Sequence, residues 1–376
     1  MNRKRYGMKA CVVGYGMIDA LGDNPEDCWN NLISDADFHQ PITNIFIPTK
    51  EVRGSVALFP TITPGDESFP RTMRYGLYAV EQALQMSGLP KSSNVATIVS
   101  SLTGGNSTFD RMITNGDRMK PKVAIKLPID ALCSYVSMKY GFNGINTAVY
   151  SACATGLVCI DYATRILDEY DYVVVGGSDA GVNGIDLGIF TSLRALGSKS
   201  RPFDNNRDGF IMGEGAGCLI LQSEEKARQY GSTVYATITG IANASDAYDE
   251  TAPSGAGARA CLTKLDLTNI DAVNAHGTGT PIGDKVEYNV VREFTDAPIY
   301  SNKGKIGHTF AAAGILETIY SILSMKHGVI PHTANCIDSD MDVVKTNIYK
   351  PVKKVLSNSF GFGGKCCSII IEADYV

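Results

Sequence analysis

The sequence predicts an α/β fold, and three features carry that reading. Apolar runs of strand length alternate along the chain with segments whose apolar residues recur at three- and four-residue steps, the mark of a helix with one buried face. The second half of the chain repeats the order of the first. Each half closes on a similar apolar run, Cys218-Leu219-Ile220-Leu221 and Ser368-Ile369-Ile370-Ile371, and each of these follows a glycine-rich stretch.

Taken in order, residues 9–14 read as a strand, 75–88 as a helix, 94–101 as a strand, 152–168 as a helix, 172–177 as a strand and 217–222 as a closing strand. The second half runs as strand 234–240, helix 256–265, strand 272–275, helix 311–326 and strand 368–373. Such alternation implies sheet covered by helices on both faces. A duplicated order implies two sheets sharing a helical layer, with halves at 1–223 and 224–376, whereas plain alternation in one large sheet leaves the same pattern. The polar, breaker-rich segments 39–70 and 103–128 are candidates for an irregular cap over a site.

Composition excludes several classes. With 376 residues and 44% hydrophobic content the chain can bury a large core. Its 34 basic and 39 acidic residues give a net charge of −5 without long single-sign blocks, which argues against nucleic-acid binding. Met1-Asn2-Arg3-Lys4-Arg5 has the look of a signal-peptide start, yet Gly14, Gly16 and Asp19 break the following apolar stretch, so residues 8–13 are read as a first strand. No apolar run is long enough for a membrane span. Ten cysteines in a chain of this length, several in strand- or helix-like segments, fit free thiols in a reducing cytoplasm.

Cys153 stands out among them. In Ser151-Ala152-Cys153-Ala154-Thr155-Gly156 it lies where a strand-like stretch, 147–150, meets a helical pattern marked by Leu157, Ile160, Ala163 and Leu167. Placed in the first helical turn, its thiol would be shifted toward thiolate by the unpaired amides and the positive end of the helix dipole. A buried, inert thiol is the alternative fate. Two of the chain's five histidines also sit at strand-to-loop junctions, where α/β sheets place their ligand sites. His276 is in Asn274-Ala275-His276-Gly277-Thr278-Gly279-Thr280-Pro281, and His308 closes Lys303-Gly304-Lys305-Ile306-Gly307-His308. Gly361-Phe362-Gly363-Gly364 is either a plain turn or one whose Phe362 N–H faces an oxyanion while the ring lines an acyl channel.

Residue chemistry narrows the options. Cys153, His276 and His308 lack the local pairing of zinc ligands, so no metal is expected. A Cys/His hydrolase with Asn274 as the orienting residue leaves His308 and Lys303 without a task. Acyl transfer followed by carbon–carbon bond formation employs all of them: a thiolate holds the acyl group and two imidazoles stabilise an enolate oxygen.

These stretches, with residues 174–179, 301–314, Asn358-Ser359-Phe360-Gly361-Phe362-Gly363-Gly364, Ser200-Arg201-Pro202-Phe203-Asp204, Arg207-Asp208-Gly209-Phe210 and Ser245-Asp246-Ala247-Tyr248, resemble the β-ketoacyl-acyl carrier protein synthases, most nearly the elongating Cys-His-His class. The matches cover nearly the whole chain in family order. The resemblance implies the thiolase fold, two pseudo-symmetric halves in a five-layer αβαβα sandwich, here with a reduced cap, usually as a homodimer. It also implies a decarboxylating Claisen condensation in fatty acid or polyketide elongation. Cys153 would take an acyl group from acyl carrier protein, and malonyl-carrier protein would lose CO₂ to give the attacking carbanion. His276 and His308 would stabilise the enolate, Lys303 would hold His308 in its useful state, and Glu317 would support Lys303. The N–H groups of Cys153 and Phe362 would form the oxyanion hole, with Gly361 and Gly363 shaping the gating loop. Thr278 and Thr280 would contact the carrier's phosphopantetheine, and no other cofactor is implied.

One departure is plain: the family commonly continues the glycine motif with Thr-Asn, and this chain has Lys365-Cys366-Cys367. Because carriers are acidic, Arg71, Arg74, Lys120, Lys122 and Arg207 are candidate docking residues. Two other readings remain: a coenzyme A-dependent thiolase-type acyltransferase, with Cys366 or Cys367 as its second reactive thiol, and a non-catalytic carrier-binding partner subunit.

Overall fold

The computed structural model describes residues 9–42, 53–55, 69–90 and 94–373. The basic start at Arg3, Lys4 and Arg5 and most of the 39–70 cap lie outside the described residues. Among the described residues the sheet has twelve strands; Gln40–Pro41 and Arg53–Ser55 pair at its side, and ten form its continuous path. The first five are β1 (Ala10–Ile18), β2 (Val95–Ser100), β3 (Asn146–Thr147), β4 (Tyr172–Ala180) and β5 (Met212–Ser223). The second five are β6 (Ala236–Ser245), β7 (Ala272–Asn274), β8 (Ile299–Tyr300), β9 (Lys354–Gly361) and β10 (Lys365–Glu372).

The first set is ordered β3-β2-β4-β5-β1 and the second β8-β7-β9-β10-β6, which is the same order shifted by five. Pair directions match as well. In each set the first two pairings are parallel and the last two antiparallel. The duplicated order is therefore the arrangement adopted. It departs from two separate sheets in one respect: β1 and β6 pair antiparallel at Ala10↔Ile238, Cys11↔Thr237 and Val12↔Ala236, so hydrogen bonding is continuous from one set to the other.

Helices α1 (Arg71–Ser87) and α2 (Ala131–Tyr140) pack on the first set, and α4 (Ala256–Leu262), backed by α5 (Pro281–Arg292), packs on the second. Between the sets run α3 (Thr155–Ile166) and α6 (Ala313–His327), which touch each other and strands of both halves. Helix α6 is buried all round from Ala313 to Met325, as a central-layer helix must be. The two cross at Gly156 and Gly314. A Cβ on Gly156 would stand 2.8 Å from the Ala311 carbonyl oxygen, and one on Gly314 would stand 2.9 Å from the Leu157 nitrogen.

Strands β1 and β9 differ from the sequence reading for identifiable reasons. Strand β1 runs through Gly14 and Gly16, which looked like breakers. These glycines instead admit α1: a Cβ at Gly14 would meet the Ala83 carbonyl oxygen at 2.5 Å, and one at Gly16 the Ala79 oxygen at 2.3 Å. Strand β9 carried no apolar alternation, because its central Ser357, Asn358 and Ser359 are fully buried polar residues. The 103–128 cap contains two helices, Asn106–Asn115 and Pro121–Ala124.

Candidate active site

Cys153 is not in the first turn of α3. The chain leaves β3 and makes a tight turn at Ser151–Ala154, with Ala152 at φ 48°, and the helix begins at Thr155. The Ala154 N–H donates to the Ser151 carbonyl and the Thr155 N–H to the Ala152 carbonyl, each at 3.1 Å. Thr155 Oγ1 fastens the turn from inside, donating to the Ala152 carbonyl at 2.6 Å and accepting from the Ser151 N–H at 2.8 Å. The thiol is thus presented on an elbow ahead of the helix. Gly361 closes against it, since a Cβ there would stand 3.1 Å from the Cys153 nitrogen.

His276 follows β7 and enters the site through the buried Glu287 of α5. The Glu287 carboxylate accepts the backbone N–H groups of His276 and Gly277, each at 2.8 Å, and the Asn358 amide at 3.2 Å. His308 is clamped by its backbone to β5: its N–H donates to the Ile211 carbonyl, and its carbonyl accepts the Gly213 N–H, both at 2.8 Å. The two imidazole rings meet edge to face, 5.3 Å apart at 84°. Among the described residues, Nδ1 of His276 and both ring nitrogens of His308 are buried without a hydrogen-bond partner. Burial, with the Lys303 ammonium beside them, holds both imidazoles well below the usual histidine range, so they are neutral near pH 7.

Lys303 is 1% exposed, and its Nζ donates to Oε1 of Glu317 on α6. Burial pushes the Glu317 carboxyl up to about 7 against the pull of that ammonium. Burial also pushes the Cys153 thiol up to about 12, with Lys303 pulling down and Asp179 adding to the rise. The resting thiol is protonated, which corrects the expectation of a depressed value: the elbow stands clear of the helix's first turn, and the loss of water outweighs the nearby positive charge.

A cleft of about 830 Å³, measured out to its open mouth, brings these groups together; Cys153, His276, His308, Thr278, Thr280 and Phe362 all line it. Thr278 and Thr280 face each other with their hydroxyls 3.2 Å apart. Gly363 and Gly364 adopt φ of 79° and 69°, and the turn they form is tied down by Gly363 N–H to the Glu250 carbonyl and Asp246 N–H to the Gly364 carbonyl. The Phe362 ring packs into the apolar cluster that contains Cys153. Lys365 lines the cleft, with its ammonium 5.2 Å from the Tyr150 ring centre. Cys366 also lines the cleft, whereas Cys367 is fully buried in β10.

Other candidates fall elsewhere. Arg207 is withdrawn from docking, because its guanidinium donates to the carbonyls of Asp204, Thr280 and Pro281 and its side chain is only 10% exposed. Arg71 is likewise turned inward, donating to the Val182 carbonyl and to the buried Glu214 at 2.8 Å. Arg74 is half-buried on α1, while Lys120 and Lys122 are exposed. Asn274 orients neither histidine; its amide donates to the Glu317 carbonyl at 3.1 Å.

Two carboxylates were given no role by the sequence reading. Glu287 is one. Asp179, at the end of β4, is the other: it accepts from Ser101 Oγ, from the N–H groups of Leu102, Thr103 and Ala311, and from Thr103 Oγ1. A fully buried acidic residue at a strand's carboxyl end is the signal for such a role, but the sequence alone does not reveal burial.

Comparison with known proteins agrees with this architecture. Residues 9–227 match the family model of the β-ketoacyl synthase N-terminal domain, and residues 235–337 match that of the C-terminal domain. A 3-oxoacyl-[acyl-carrier-protein] synthase 2 from Coxiella burnetii is 30% identical over 97% of this chain and 98% of its own. A mitochondrial 3-oxoacyl-[acyl-carrier-protein] synthase from Arabidopsis thaliana is 37% identical over 68% of this chain and 62% of its own. Among solved structures, the ishigamide ketosynthase/chain length factor superposes with a TM-score of 0.89 at 27% identity, covering 98% of this chain and 100% of that one. A β-ketoacyl synthase from Burkholderia phymatum gives 0.86 at 25% identity, with the same coverage. The fold and the cleft define a condensing enzyme of the thiolase superfamily. More narrowly, the chain belongs to the β-ketoacyl synthase family.

Proposed function

We propose that this chain is a 3-oxoacyl-[acyl carrier protein] synthase that elongates acyl chains in fatty acid or polyketide synthesis. The observation that carries the proposal is the convergence of one thiol and two neutral, buried imidazoles on a single cleft. Cys153 Sγ attacks the thioester carbonyl of the acyl carrier, the carrier's thiol leaves, and the thiol proton passes to it. The N–H groups of Cys153 and Phe362 hold the oxyanion formed during that attack. Malonyl-carrier protein then enters past Thr278 and Thr280 and loses CO₂. His276 and His308, both buried, each give one N–H to the enolate oxygen. The carbanion attacks the acyl–Cys153 thioester, releasing the 3-oxoacyl carrier and the Cys153 thiolate, which takes up one proton from solvent to restore the thiol. Burial, with the Lys303 ammonium beside it, keeps the His308 ring neutral, and Glu317 accepts from that ammonium.

The same reading takes residues 1–223 and 224–376 as the two halves of the working unit. It takes a homodimer as the active assembly, the cytoplasm as its place, Lys120 and Lys122 as carrier-facing charges, and the carrier's phosphopantetheine as the sole prosthetic group required. Incubation with acyl-carrier and malonyl-carrier proteins, followed by product mass spectrometry, tests it. A 3-oxoacyl product extended by one malonyl-derived unit supports the proposal. Carrier binding without adduct or product at any acyl length would favour the partner-subunit reading, and transfer from coenzyme A thioesters alone would favour the thiolase-type reading.

A further inference from the structure

Cys153 belongs to two environments at once. It lines the cleft through which a carrier arm enters, and it packs in an apolar cluster with Leu187, Phe190, Phe210, Met212 and Phe310. When the second substrate occupies the cleft, an acyl chain on Sγ has only the cluster to enter. Three of its buried members are rings packed on one another. Phe310 and Phe190 stack at 5.0 Å and 18°, and Phe210 stands edge-on to both, at 6.0 and 5.4 Å. Phe310 is fully buried and also lies 4.8 Å from the His308 ring.

The Phe310 ring has little freedom to leave. Its backbone sits at φ 51°, and the next residue's N–H is bonded to Asp179 at 2.7 Å. Toward β4 the ring rests on Gly181, where a Cβ would stand 2.8 Å from its edge. Interiors packed to this density accept extra methylenes only by displacing what is there.

We propose that Phe310, wedged between Phe190 and His308, is a plug that limits the acyl group on Cys153 to short chains. The inference rests on the acyl-transfer reading above and assigns that site its substrate class. Two measurements test it and separate the two ideas. In the first, acetyl-, butyryl-, hexanoyl- and octanoyl-carrier proteins are mixed with the full chain, and acylation of Cys153 is followed by intact-protein and peptide mass spectrometry. In the second, Cys153 is alkylated with iodoacetamides bearing methyl, butyl or octyl tails, which needs no carrier.

Wild-type protein is expected to load octanoyl about tenfold more slowly than acetyl, with the octyl reagent lagging the methyl one similarly. Phe310→Leu is expected to close most of that gap, and Phe190→Leu, should the first variant not fold, shifts it in the same direction. Octanoyl loading as fast as acetyl in wild type overturns the plug. If no thioester acylates Cys153, the acyl-transfer reading falls, and the alkylation series still decides: equal rates for methyl and octyl tails overturn the plug, and a tenfold preference for methyl supports it.

Discussion

The turns that lead into the two central helices are built alike and used differently. Before α3 the chain runs Ser151-Ala152-Cys153-Ala154, with Ala152 at φ 48°; before α6 it runs Thr309-Phe310-Ala311-Ala312, with Phe310 at φ 51°. Both helices then place a glycine at their second residue, Gly156 and Gly314, and cross there. Cys153 therefore corresponds in position to Ala311. One turn presents a thiol to the cleft, while its counterpart gives its N–H to Asp179 and fills the apolar cluster with Phe310. The duplicated backbone supplies the geometry, and single side chains decide which copy performs chemistry.

The largest expected effect separates the two turns chemically. His308→Ala, just ahead of the second turn, is expected to lower 3-oxoacyl product formation about a thousandfold while Cys153 still becomes acylated. Product rate and adduct mass, read on the same sample, check this; a parallel loss of acylation would mean that the second turn also serves the first step. Next comes the crossing. Gly314→Val and Gly156→Val should each destabilise the protein by about 3 kcal/mol through overpacking, measured by urea unfolding. A large effect at one glycine and none at the other would break the correspondence.

Asp179→Ala should cost about 2 kcal/mol, because it leaves the buried N–H groups of Leu102, Thr103 and Ala311 without their acceptor. The effect most remote from the two turns is a pH slope from Glu287, which supports the His276 loop rather than either turn. Burial raises this carboxyl from 4.5 to about 7, with the Gly277 and His276 N–H groups opposing. Between those values the folded state holds a proton that the unfolded chain has released, so this group's contribution to stability is full below about pH 4.5 and lost as pH rises through about 7. The slope is at most about 1.4 kcal/mol per pH unit. Glu287→Gln should flatten the unfolding free energy across that window, and an unchanged slope would assign it to another carboxyl.

Much of this was legible in the sequence because the periodic elements are the apolar ones. The alternation of strand and helix, the duplicated order and the three separate runs holding Cys153, His276 and His308 could all be read from residue type and position. What escaped depends on burial. Ser357, Asn358 and Ser359 look like loop residues yet occupy the middle of β9, and Gly14 and Gly16 look like breakers yet allow α1 to approach β1. Arg207 and Arg71 looked available for docking, but their charges are spent on internal acceptors that only folding brings near. The helix-start argument for Cys153 failed in position by two residues and in direction of pKa, since desolvation of the thiol is invisible in sequence.

The most direct test of the central claim is peptide-mapped mass spectrometry of the full chain after mixing with acetyl-carrier protein, with Cys153→Ala run alongside. The wild-type protein should carry a single acetyl group on Cys153, and the variant, whose first turn now matches its Ala311 counterpart, should carry none and form no 3-oxoacyl product. Acetylation at another cysteine, or product formation by Cys153→Ala at the wild-type rate, would contradict it.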